Sequence, residues 1–124
     1  MAKKKIMIVD DNDDIRYTIK ETLSSIHKDF NFVEASSGKE CLSKLPKENP
    51  DLILLDIMMP GRDGIDIASD IRKDDKYDKL KIIFLTAKTD TLTQGLALAK
   101  GQKFIEKPFD PVKLDKAIRD SLKI

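Results

Sequence analysis

The feature that most constrains the fold is an alternation between short apolar runs and segments with helical periodicity. The apolar runs cover 6–9, 32–33, 52–55, 82–85 and 104–105. Between them, apolar residues recur three or four positions apart, which is typical of amphipathic helices. Strands that alternate with helices build a parallel sheet with helices on both faces and right-handed crossovers. The sequence therefore predicts an α/β fold, a single-domain doubly wound (βα)5 unit with a five-stranded parallel sheet.

Periodicity and turn residues place the predicted helices. The first spans roughly 13–27, the second runs from Gly38 to about Leu45, the third covers 65–71, the fourth ends at Gly101, and the fifth opens at Pro111. Ser36 or Ser37 can cap the second helix, which we expect to stop before Pro46. The strand order 2-1-3-4-5, as in flavodoxin-like folds, would place strands 1 and 3 side by side. Periodicity alone does not prove that order.

Acidic residues end two of the predicted strands. Asp56 closes the run 52–55, and Asp10 and Asp11 close the run 6–9. The carboxyl ends of parallel strands meet at one edge of the sheet, where ligands bind. Three carboxylates at that edge would repel one another, and Mg²⁺ would remove the repulsion because it prefers oxygen ligands. The alternative is that these acids are loop residues or helix caps.

A hydroxyl and an ammonium group follow the last two predicted strands, at Thr86 and Lys107. Together with the three acids they form a set that suits phosphoryl transfer to a carboxylate, since such catalysis is mainly positioning and electrostatics. Asp56 would attack phosphorus, and Thr86 and Lys107 would each bind a phosphoryl oxygen. The alternatives are that Thr86 caps the fourth helix and that Lys107 is a surface lysine before a turn.

Charge and composition argue against several classes of protein. A formal net charge of +1 disfavours a dedicated nucleic-acid binder. The single cysteine, Cys41, rules out an intrachain disulfide and favours a reduced, cytoplasmic setting. We expect Cys41 to be a core residue and His27 a surface or helix-end residue. No apolar run approaches the ~20 residues that cross a bilayer, so no membrane association is expected.

These motifs, in this order, resemble the receiver domains of two-component response regulators. The matching segments are Asp10-Asp11, 50–61 with Asp63-Gly64, Thr86-Ala87, and Lys107-Pro108-Phe109. The resemblance covers nearly the whole chain and implies one CheY-like receiver (response regulatory) domain over 1–124. It implies a signalling module in the cytoplasm that catalyses only its own phosphorylation and dephosphorylation.

The resemblance also implies a role for each site residue. Asp56 resembles the phosphoacceptor and Lys107 the lysine that pairs with it or with the phosphoryl group. Asp11 resembles the direct Mg²⁺ ligand, Asp10 the acid that reaches the ion through water, and the Met58 backbone carbonyl a further ligand. Mn²⁺ is an alternative ion. The Lys107–Pro108 peptide would be cis.

Switching and tuning residues follow from the same resemblance. Thr86 resembles the switch hydroxyl, and Phe104 stands where the family often has a tyrosine, although core packing explains Phe104 at least as well. Met58 and Lys88 occupy positions that tune the access of water to the phosphoryl group. Because an apolar Met58 offers that water no hydrogen bond, we expect a phosphorylated state that is not unusually short-lived.

The implied partners are proteins. A histidine kinase or a histidine phosphotransfer protein would donate the phosphoryl group. A downstream protein would bind the face made by the fourth helix, the fifth strand and the fifth helix, and that face could also form a phosphorylation-dependent homodimer. The chain would act alone or as the receiver fragment of a larger response regulator.

Three other functions fit the residues less well. An EF-hand loop starting at Asp10 would need glycine where Ile15 stands. A phosphatase that resembles the haloacid dehalogenases would need an acid where Met58 stands. A flavodoxin-like FMN carrier would need a hydroxyl- and glycine-rich phosphate loop after the first strand, where the acids of 11–14 would repel phosphate.

Overall fold

The computed structural model describes residues 3–26, 29–87 and 103–124. Its elements in chain order are β1 (Lys4–Val9), α1 (Asp13–Ile26), β2 (Phe30–Ala35), α2 (Gly38–Glu48), β3 (Leu52–Asp56), α3 (Gly64–Arg72), β4 (Lys81–Ala87), β5 (Lys103–Lys107) and α4 (Pro111–Leu122). The C-terminal helix α4 is the fifth helix predicted from the sequence. The fourth predicted helix, which ends at Gly101, lies outside the described residues, as does His27.

The five strands form one parallel sheet in the order β2-β1-β3-β4-β5, which confirms the predicted doubly wound fold. Val9 on β1 pairs in register with Leu55 on β3. The residues that follow this pair, Asp10 and Asp56, therefore leave two neighbouring strands at the same level. The fold itself brings the two acids to one edge of the sheet, as the strand order predicted.

Buried side chains form one cluster on each face of the sheet, because successive strand residues point to opposite faces. Alternate residues of β1 and β3 join α2 and α3 in one cluster and α1 and α4 in the other. All five residues of β3 are buried, which explains its continuous apolar sequence. Cys41, on α2, is fully buried in the first of these clusters, as expected. No described helix is long and apolar enough to cross a membrane.

The second helix is longer than predicted. It runs through Pro46 to Glu48 and ends at Asn49, whose backbone is left-handed and whose N–H donates to the Leu45 carbonyl. Pro46 lies in the last turn on the exposed side, where its ring removes only one helical hydrogen bond. The prediction that the helix stops before Pro46 was therefore wrong, whereas Ser37 does cap its start.

Candidate functional site

The three predicted acids converge at the carboxyl edge of the sheet. Asp10 and Asp56 are 0% and 2% exposed, whereas Asp11 faces solvent. One carboxylate oxygen from each of the three lies within 4.8 Å of those of the other two. Two buried carboxylates and an exposed one thus form a small acidic cluster, with Asp11 as its exposed member, which we call the acidic pocket.

Lys107 inserts its ammonium group between the two buried acids. It ends β5, and its Nζ lies 2.7 Å from Asp10 Oδ2 and 3.2 Å from Asp56 Oδ1. Its side chain is 21% exposed, so these ion pairs are largely shielded from water. The peptide that follows it, Lys107–Pro108, is cis, as the resemblance to receiver domains implied.

Opposing influences act on the pKa of the Asp56 carboxyl, which is raised to about 6. Burial is the main cause of the rise, and the charge of Asp10 adds to it. The ammonium of Lys107 and the backbone N–H of Met58 oppose it. Burial by itself would lower the pKa of Lys107, but its hydrogen bond to Asp10 and the charges of both acids raise it instead. At neutral pH, Asp56 is therefore mainly a carboxylate facing an ammonium group.

The oxygen atoms of the acidic pocket are suitable ligands for a hard divalent cation. Its three carboxylates face one ammonium group, which leaves an excess of negative charge. Oxygen ligands of this kind are those that Mg²⁺ and Mn²⁺ accept, and Mg²⁺ usually keeps several waters beside one or two carboxylates. Asp10, Asp11 and Asp56 thus fit such an ion.

The loop from β3 to α3 closes one side of the pocket. Met58 is 64% exposed, and its backbone N–H donates to Asp56 Oδ1 at 3.2 Å. Gly64 packs so closely that a Cβ there would lie 2.3 Å from the Asp56 carbonyl oxygen. The Gly64 N–H donates to the Ile57 carbonyl, and Asp63 caps α3. The loop is therefore held at both ends, directly beside the phosphoacceptor candidate.

The predicted switch residues lie at the end of β4 and on β5. Thr86 is fully buried, and its hydroxyl donates to the Ala87 carbonyl at 3.4 Å. Phe104 is half-buried and packs against the core cluster that contains Phe84. Lys88, the second tuning residue, lies outside the described residues. The roles assigned to Thr86, Phe104 and Lys88 stay predictions.

Sequence reasoning missed the residues that shape the turn after β1. Asn12 Oδ1 accepts the N–H groups of Asp14 and Ile15 and so caps α1. Because α1 already begins at Asp13, the chain does not form a 12-residue calcium loop from Asp10. Arg16 lies buried behind the acids. An arginine one turn into the helix, with Glu34 near the end of the neighbouring strand, was the signal available in the sequence.

Residues 6–119 match the family model of the response regulator receiver domain. A relative from Guillardia theta, described as "Probable transcriptional regulator ycf27", is 39% identical over 98% of this chain and 46% of its own length. The alkaline phosphatase synthesis transcriptional regulatory protein PhoP of Bacillus subtilis is 33% identical over 97% of this chain and 49% of its own. This chain spans about half the length of these curated relatives.

Solved structures resemble the fold over its whole length. The chemotaxis protein CheY4 of Vibrio cholerae superposes with a TM-score of 0.86 at 30% identity, covering 98% of this chain and all of the other. The receiver domain of NtrX from Brucella abortus gives a TM-score of 0.85 at 27% identity, covering 95% and 98%. The same architecture therefore occurs in a chemotaxis protein and in a receiver domain.

Proposed function

The chain belongs to the response regulator receiver domain family, and from this premise we propose that Asp56 accepts a phosphoryl group from a phosphohistidine donor. The observation that carries the proposal is the position of Asp56. It is a buried carboxylate at the end of the central strand, with an ammonium group 3.2 Å away and two further acids beside it. We propose that 1–124 forms one such receiver, which acts as a signalling module.

The chemistry proposed for Asp56 is a single displacement. A carboxylate oxygen forms a bond to phosphorus while the phosphorus–nitrogen bond of the donor breaks, and the imidazole leaves with the electron pair. Lys107 holds the carboxylate before transfer and would donate to a phosphoryl oxygen after it. Such catalysis is mainly positioning, which a buried and hydrogen-bonded acid provides.

The acids would also hold a divalent cation. Asp11, Asp56 and the Met58 carbonyl would be direct ligands of Mg²⁺, which offsets the negative charge that gathers on the phosphoryl oxygens. Asp10 is suited to an indirect role, because Oδ2 accepts from Lys107 at 2.7 Å and Oδ1 accepts from the Asn12 N–H at 2.9 Å. Both of its oxygens thus already have partners within the protein.

Signalling would follow from the new charge on Asp56. Thr86 would turn from the Ala87 carbonyl toward the phosphoryl group, and Phe104 would repack in response. The surface that includes β5 and the C-terminal helix α4 would then bind a downstream protein or a second copy of the chain. A histidine kinase or a histidine phosphotransfer protein would be the donor. Two of the relatives described above are named as a probable transcriptional regulator and a transcriptional regulatory protein, so the output of a longer protein that contains this chain would be the control of transcription.

Met58 would set the lifetime of the phosphorylated state. Its exposed side chain offers no hydrogen bond to a water molecule that attacks phosphorus, so Met58→Asn should speed dephosphorylation several-fold. Loss of the phosphoryl group is followed by intact mass after the donor is removed. An unchanged rate would contradict this tuning role.

The test of the proposal is intact mass after incubation with acetyl phosphate, with and without Mg²⁺. We expect one phosphoryl adduct that depends on Mg²⁺ and is absent in Asp56→Asn. Asp51→Asn is the matched control. Asp51 immediately precedes β3, at the opposite end of the strand from Asp56, and its carboxylate accepts the Lys5 N–H. If wild type gains no adduct even from a purified phosphohistidine protein, the proposal fails.

A further inference from the structure

A buried arginine lies directly behind the acidic pocket. Arg16, in the first turn of α1, is 9% exposed, and the chemistry proposed above does not use its charge. A buried cation persists only where its hydrogen bonds and charge are matched by partners. Its partners therefore indicate what its position serves.

The guanidinium group bridges three separate parts of the chain. Nη1 donates to the backbone carbonyl of Asp10 at 2.5 Å, and Nη2 pairs with the Asp13 carboxylate. Nε donates to Glu34 Oε1 on β2 at 3.0 Å. One rigid, planar group thus ties both ends of the turn between β1 and α1 to the neighbouring strand. A lysine, with a single nitrogen, cannot reproduce this geometry.

Glu34, the anchor of this bridge, is itself held in place. Lys20 Nζ donates to its second oxygen at 3.0 Å, and Lys44 Nζ donates to its backbone carbonyl at 2.6 Å. The hydrogen bond from Lys20 lowers the pKa of Glu34, and although burial opposes this, Arg16 lowers it further. Glu34 is therefore an ionised, fixed partner for Arg16.

We infer that Arg16 is a positioning residue for the cation site. By holding the Asp10 carbonyl, it fixes the direction in which the Asp10 and Asp11 side chains leave the end of β1. The inference rests on the proposed function, because it requires these acids to bind Mg²⁺. Removal of a group that holds the ligands of a metal commonly lowers the affinity for that metal by about 10- to 100-fold.

Charge and position predict opposite results for the loss of Arg16. The guanidinium is a cation near a cation site, so removal of its charge alone would strengthen Mg²⁺ binding. Loss of its hold on the turn would weaken binding, because the two acids would have to be reordered when the ion arrives. The sign of the change in affinity therefore distinguishes a positioning role from a purely electrostatic one.

The experiment is calorimetric titration of Mg²⁺ into wild type, Arg16→Gln, Arg16→Lys and Lys116→Gln. We expect the Kd to rise about 10-fold in both Arg16 variants and to stay unchanged in Lys116→Gln. Lys116, on the C-terminal helix α4, is the control for the loss of one positive charge, since it is 74% exposed and pairs with Asp120. Irreversibly misfolded chains would lower the number of sites per chain without moving the Kd. Reversible unfolding would raise the apparent Kd, so urea unfolding must show that each variant is fully folded at the titration temperature.

An unchanged or lower Kd in folded Arg16→Gln would overturn the inference. If that variant does not fold, Glu34→Gln takes its place, because it keeps Arg16 but weakens its anchor. Glu34→Gln should also raise the Kd, but by a smaller factor than Arg16→Gln. An unchanged Kd in Glu34→Gln would overturn the inference too. If wild type binds no Mg²⁺, or Asp11→Asn leaves its affinity unchanged, the cation site of the proposed function itself fails.

Discussion

At the scale of single residues, the site depends on how Asp56 is kept charged while buried. Burial and the charge of Asp10 raise its pKa, and Lys107 and the Met58 N–H hold the rise to about 6. The carboxylate is thus available as a nucleophile at neutral pH but is shielded from solvent. The buried charge lowers the stability of the folded protein, because burial disfavours the charged form of a carboxyl group.

The first prediction concerns stability and pH in the absence of metal. A raised pKa means that folded Asp56 binds its proton more tightly than the unfolded chain, so the free energy of unfolding falls as pH rises toward about 6. Asp56→Asn has no such proton. As pH rises from about 4.5 to about 7.5, the free energy of unfolding of Asp56→Asn should therefore increase by roughly 1–3 kcal/mol relative to that of wild type.

Urea unfolding with a chelator present measures this gain, with Asp51→Asn as control. Asp51 carries a carboxylate that is not in the acidic pocket, so its variant should follow the wild-type pH dependence. If Asp56→Asn and wild type lose stability in parallel as pH rises, the charge balance described for Asp56 is wrong.

The second prediction concerns Lys107. Lys107→Met leaves Asp10 and Asp56 without their shared cation, which should cost about 2–4 kcal/mol of unfolding free energy without metal. Added Mg²⁺ should then raise the Tm of the variant by more than that of wild type, because the ion replaces the missing charge. Thermal unfolding with and without Mg²⁺ measures both effects.

The matched control is Lys116→Met on the C-terminal helix α4. Lys116 is 74% exposed and pairs with Asp120, so its loss should change stability little. Equal Tm shifts on adding Mg²⁺ in wild type and Lys107→Met would contradict the idea that ammonium and metal share one pocket.

At the scale of elements, Asp10 and Asp56 are positioned by two strand ends and by the loop after β3. The register that pairs Val9 with Leu55 sets the level at which Asp10 and Asp56 emerge. The loop is fixed by the cap at Asp63 and by the close approach of Gly64 to the Asp56 backbone. The position of Asp56 therefore depends on packing behind it as well as on its own hydrogen bonds.

The third prediction follows from that packing. A Cβ at Gly64 would lie 2.3 Å from a backbone oxygen, which cannot move aside as a flexible side chain can. Gly64→Ala should lose more than about 2 kcal/mol of stability, because the loop must shift or the core must open. The loss is measured by urea unfolding, and Mg²⁺ affinity should fall with it.

Gly61→Ala is an instructive comparison. Gly61 has a φ of +86° but nothing within 4 Å of an added Cβ, so its cost is conformational and should be about 1 kcal/mol. If Gly61→Ala destabilises the protein as much as Gly64→Ala, close packing against Asp56 is not what requires glycine at 64.

At the scale of the whole molecule, the fold was readable from the sequence because its signals are local and repeated. Short apolar runs and helical periodicity predicted the five strands and the described helices, and acids at two strand ends predicted where the pocket forms. The continuation of α2 through Pro46 could not be predicted from the sequence, because the loss of one hydrogen bond in the last turn of a helix is offset by tertiary packing. The bridge from Arg16 to Glu34 was missed although the order of β1 and β2 was predicted, because periodicity does not show which polar side chains meet between two elements.

The central claim is that Asp56 itself receives the phosphoryl group. The most direct measurement is to phosphorylate the protein, reduce the acyl phosphate with borohydride, and map the product by peptide mass spectrometry. Reduction converts a phosphorylated aspartate to homoserine and leaves other aspartates unchanged. We expect homoserine at position 56 alone, and only when Mg²⁺ was present. Homoserine at another acid, or a phosphorylated protein with an unmodified Asp56, would contradict it.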